Sequence, residues 1–73
     1  MRETHVQKAF NFLMNNHYIT HSIIHAETHC NDTYSVMQGI KIRLRKKDIP
    51  LYSIPMINEV TGNPYIHYFI EVA

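Results

Sequence analysis

Residues 31 to 50, NDTYSVMQGIKIRLRKKDIP, decide how the rest of the chain is read. Asn31 and Asp32 are strong helix N-caps, because their short side chains accept hydrogen bonds from the free amides of a first turn. After them Val36, Met37, Ile40 and Leu44 recur at the spacing of one helical face. Asp48 and Pro50 mark the stop, since proline cannot continue a helix. The stretch therefore predicts a helix over about 32–47. With its aliphatic side turned inward, Tyr34, Gln38, Lys41 and Arg45 fall along one outward stripe, and Ser35 lies beside them. Gly39 sits inside this helix at a cost of about 1 kcal/mol relative to alanine, which implies close packing, expected against the preceding helix.

Upstream, Val6, Ala9, Phe10, Leu13 and Met14 predict a first helix from Glu3 to Asn15, closed by the turn-favouring Asn15-Asn16-His17. Tyr18-Ile19 reads as a short extended piece, and Thr20 as the cap of a second helix over 21–29. Downstream, 49–60 and 65–72 are rich in Ile, Val, Tyr and Phe and flank the turn signal Thr61-Gly62-Asn63-Pro64, so they predict an antiparallel hairpin. Pro55 makes the first of these strands an edge strand, or breaks it. The expectation is an α+β fold of three helices followed by a C-terminal β-hairpin, with a short strand between helices one and two. This is the layout of a winged helix-turn-helix.

Seventy-three residues support one core, so a single domain over 1–73 is expected. The chain has no apolar run of membrane-spanning length and no leader-like apolar segment, and its lone Cys30 has no disulfide partner. Those features point to the cytoplasm. Net charge is only +1, which taken alone argues against a polyanionic partner. Distribution changes that reading: five of the seven basic residues lie within Lys41 to Lys47, while the six acids are scattered.

A major groove about 12 Å wide admits one helix that presents polar side chains forward. Tyr34, Ser35, Gln38, Lys41 and Arg45 are the candidate groove contacts: glutamine pairs with adenine, lysine or arginine with guanine, and hydroxyls suit phosphates or base edges. Arg43, Lys46 and Lys47 are assigned to flanking phosphates. The hairpin tip, 58–63, lacks Lys and Arg and is assigned little of the binding.

Tyr18-Ile19-Thr20 opening helix two, and Leu44-Arg45-Lys46-Lys47-Asp48-Ile49-Pro50-Leu51 leading into the hairpin, resemble the small winged helix-turn-helix proteins of bacteriophages and prophages. Asp48 stands where a glycine is usual in them. The resemblance implies a DNA-binding regulator or recombination accessory factor of a mobile element. Many winged domains dimerise on paired half-sites, and strand 65–72 or helix one is a candidate contact for a homodimer. The rival reading is a module that uses the same fold to bind a host protein, favoured by the near-zero net charge. No catalytic motif or cofactor signature is visible, so neither an enzyme nor a small-molecule substrate is expected.

His17, His21, His25 and His29 recur every four residues. Two histidines at i and i+4 can chelate a transition metal, with Cys30 as a further ligand, which makes His21, His25 and His29 the alternative site. No CxxC or HExxH pattern accompanies them, and a solvated helix face is the preferred reading, with no metal expected. With an ordinary pKa near 6.5, these residues are also expected to add positive charge at mildly acid pH. Phe10, Phe12, Tyr52, Tyr65, Tyr68 and Phe69 are read as core and sheet aromatics, and Cys30 as an inert buried thiol.

Overall fold

A computed structural model describes residues 4–71. Its elements run α1 (His5–Asn16), β1 (Tyr18–Ile19), α2 (His21–Thr28), α3 (Thr33–Lys46), β2 (Tyr52–Ile57) and β3 (Pro64–Phe69). Glu3 and Val72, the expected outer ends of the first helix and the last strand, lie outside the described residues.

Each helix starts where a short polar side chain satisfies a first-turn amide. Thr4 Oγ1 accepts from the Gln7 N–H at 3.0 Å, Thr20 Oγ1 from Ile23 at 3.2 Å, and the Asp32 carboxylate from Ser35 at 3.2 Å. The ends are equally local. His17 (φ 71°) and His29 (φ 57°) are left-handed residues whose N–H groups close the last turns of α1 and α2, on Leu13 O at 2.7 Å and His25 O at 2.8 Å. After α3, Asp48 is left-handed too (φ 57°). Its N–H donates to Arg45 O at 3.2 Å, and that of Ile49 to Leu44 O at 3.0 Å, the paired bonds of a Schellman ending. The Asp48 backbone conformation is the one that glycine adopts most easily.

The sheet is antiparallel in the order β1-β3-β2. Tyr18 pairs with Phe69 and Ile19 with Tyr68, so the two-residue strand between the first helices joins the hairpin. On the other side Tyr52 to Ile57 pairs with Phe69 to Pro64. Pro55 sits opposite Ile66 without interrupting the strand, and β2 is the outer strand, where a missing N–H costs no ladder bond. Ile19 and Tyr68 turn one face of the sheet into the core, where they meet Ala9, Phe10 and Leu13 of α1, Ile24 of α2, and Val36, Met37, Ile40 and Leu44 of α3. The four aliphatic positions of α3 are thus all buried, as their spacing requires.

Gly39 is approached by α1, not by α2 as the sequence suggests. A Cβ built there would lie 2.7 and 2.9 Å from the two methyl groups of Val6. Valine is stiff about χ1, so it yields poorly. Gly39→Ala gains about 1 kcal/mol of helix propensity but overpacks the contact by about 1–3 kcal/mol, and is expected to be destabilising by about 1 kcal/mol overall. In a Val6→Ala background the same change is expected to stabilise. Urea denaturation of the four-member cycle checks this, and additive effects would show that α1 does not press on Gly39.

Candidate functional site

The outward side of α3 is a helical surface that the fold leaves open. Tyr34, Ser35, Gln38 and Arg45 are exposed, as are Lys46, the last residue of the helix, and Lys47, its C-cap. Tyr34 is 73% exposed, and its ring leans on His21 with centroids 4.6 Å apart. Lys41 is half-buried: its ammonium lies 5.8 Å from the centre of the Tyr68 ring, which ties the middle of α3 to the core face of the sheet. Its charge is thereby held at the border between helix and hairpin. Arg45 and Lys41 also flank a concavity formed with Leu44, Asp48, Ile49 and Leu51.

Two of the residues chosen from sequence are engaged elsewhere. The Ser35 hydroxyl donates to Asp32 Oδ2 at 2.7 Å, completing the cap of α3. Together with the Ser35 N–H, it holds the Asp32 carboxyl below its ordinary pKa of 3.8. Arg43 points away from the stripe. Its guanidinium donates to Gln7 Oε1 and lies 5.8 Å from the Phe10 ring centre, which places it on α1. Arg43 lines a separate groove there with Lys46, Lys47, Asn11 and Met14.

One residue of this surface is invisible to a search for polar side chains. Ile42 is 54% exposed and lies one helical turn from Gln38 and Arg45 on the outward side. The signal that finds it is angular position alone: the buried face of α3 is complete without it.

The histidine ladder does not form one stripe. His17 and His29 are the left-handed helix ends described above, and His25 is exposed, its Nδ1 3.1 Å from Cys30 O. His21 turns inward, with Nδ1 2.9 Å from Thr33 Oγ1 and Nε2 3.5 Å from the Tyr68 hydroxyl. Among the described residues no three His, Cys, Asp or Glu side chains gather as a metal site. Cys30 is part-exposed and not buried as expected, its thiol 3.8 Å from Asp32 O. Thr28 is buried instead, its hydroxyl donating to Ile24 O at 2.6 Å.

Burial and, secondarily, the nearby Lys41 charge push the pKa of His21 below its ordinary 6.5. His21 therefore resists the acid-induced charge expected of the ladder. Below pH 6.5 the unfolded chain takes up this proton more readily than the folded one. The His21 contribution to stability is full above pH 6.5 and is lost as pH falls from there through the folded value. Thermal midpoints are expected to drop on acidification below pH 6.5, and to drop less in His21→Gln. An identical slope in that variant would assign the effect to another group.

No helix among the described residues is long and apolar enough to cross a membrane. Comparison with protein-family models, with curated proteins and with solved structures finds no match.

Proposed function

We propose that this chain is a winged helix-turn-helix domain that binds double-stranded DNA, with α3 in the major groove and the β2–β3 hairpin as the wing. The observation that carries this reading is the outward side of α3, where Gln38, Ile42 and Arg45 stand exposed and Lys41 is anchored beside them, on a helix backed by Val36, Met37, Ile40 and Leu44. Gln38 and Arg45 offer bidentate pairing to adenine and guanine, and Ile42 offers the apolar contact that suits a thymine methyl. Lys46 and Lys47 supply phosphate neutralisation at the end of the helix. The Ser35 hydroxyl serves the cap of α3, and Arg43 serves the α1–α3 contact before any phosphate. The wing carries no Lys or Arg, so it guides fit more than affinity.

The role is binding and not catalysis, in the cytoplasm where DNA is accessible, as a regulator or recombination accessory factor of a mobile element. Selection from random-sequence duplexes, followed by a salt titration of the winning site, tests it. Enrichment of a short motif is expected, with affinity falling steeply as salt rises. No enrichment and no binding at low salt would reject DNA as the partner and leave the host-protein reading in its place.

A further inference from the structure

The sheet has a second face, and it is apolar in the open. Residues paired across an antiparallel sheet share a side, so Tyr18 and Tyr52 flank Phe69, Ile54 lies beside His67, and Met56 beside Tyr65. This is the face opposite Ile19 and Tyr68, which point into the core. Tyr18 stacks on His67 with ring centroids 5.4 Å apart, and Tyr52 on Phe69 at the same distance, so the aromatic side chains form an ordered layer. Tyr18, Tyr52, Ile54, Met56 and Tyr65 nevertheless remain 37 to 44% exposed. Contiguous apolar exposure of this kind on a small domain marks a contact surface.

The geometry points to a second copy of this chain as the occupant, the two sheet faces stacking about a two-fold axis. Charge is the first argument. The seven side chains of this face include no Asp, Glu, Lys or Arg, and the chain from 49 to 71 contains no Lys or Arg at all. A nucleic acid or anionic lipid finds no cation there, whereas a face that meets its own image must avoid unpaired like charges. Area is the second. Side chains of this size expose roughly 80 Å² each at such fractions, so each copy offers about 400–500 Å² and the pair about 800–1,000 Å², the small end of the range for a weak, specific association. Pro55 supplies the third, because it removes a donor from the outer strand and disfavours growth of the sheet edge to edge. Stacking leaves α3 free, since Lys41 of α3 reaches the opposite face of the sheet at Tyr68. This inference stands on the sheet alone and does not require DNA binding.

Sedimentation equilibrium of the full chain from micromolar to millimolar concentration tests it. The mass is expected to rise from monomer to dimer, with a dissociation constant on the order of 10–100 µM for an interface at the small end of the range. Ile54→Lys with Met56→Lys, both on the exposed side of β2, is expected to weaken association by at least about tenfold with circular dichroism unchanged, because burying the introduced charges carries a desolvation cost. Lys41→Ala with Arg45→Ala is expected to leave association intact, which separates this interface from any loss of DNA binding. A wild-type chain that stays monomeric at millimolar concentration overturns the proposal. So does a dimer that persists undiminished in the Ile54→Lys, Met56→Lys variant.

Discussion

Replacing Lys41 and Arg45 together by alanine is expected to lower affinity for the selected duplex by about 10²- to 10⁴-fold, because each well-formed pairing to a base edge is worth about 1–3 kcal/mol. The same change should alter the dependence of log affinity on log salt less than Lys46→Ala with Lys47→Ala does, because those two lysines carry the assigned phosphate contacts. Fluorescence anisotropy on a labelled duplex reads both quantities. Lys8→Ala, the loss of one cation on the exposed side of α1, serves as the control and should leave affinity within about twofold. The fold is expected to survive the double change, since Arg45 is exposed and Lys41 contributes only its contact with the Tyr68 ring. Unchanged binding in a correctly folded double variant would show that α3 is not the reading helix.

The second large effect falls on stability. Ile40→Ala is expected to cost about 2–5 kcal/mol, because Ile40 is fully buried at the centre of α3 and its loss leaves a cavity that the surrounding helices cannot fill. A domain of this size has a total stability of about 4–11 kcal/mol, so the variant approaches the unfolding threshold. Its thermal midpoint should fall by about 10–30 °C. Ile42→Ala, the same substitution two positions along, should change stability by no more than about 0.5 kcal/mol, because that side chain already faces water. Its consequence is expected in DNA, as a loss of preference for thymine at one position of the motif. Calorimetry on the two variants separates them, and equal losses in both would mean that α3 is rotated from the orientation described.

That contrast shows where sequence reading stops. The periodicity of Val36, Met37, Ile40 and Leu44 identifies the buried side of α3, but polarity does not mark Ile42 as part of the outward side, because it is apolar. Ser35, beside the outward stripe, reads from sequence as a groove contact. Its hydroxyl is committed to Asp32, a local bond that the spacing allows but does not demand. The histidine ladder is exposed at His17, His25 and His29, as a solvated surface requires, but it is not one stripe. Its four-residue period arises partly from where two helices end, at His17 and His29, and period alone does not distinguish a stripe from a pair of left-handed caps.

Local chemistry along the chain was enough to determine the number and order of the helices, their caps at Thr20 and Asp32, the hairpin around Gly62, and the cationic end of α3, because these depend on interactions within a few residues. Long-range closure decided the rest. Val6 settling against Gly39, β1 joining β3, Arg43 turning to Gln7, and one sheet face left uncovered all require residues far apart in sequence to meet. Such meetings are fixed by how three helices and a sheet exclude water from one shared core, a condition that no single segment carries in itself.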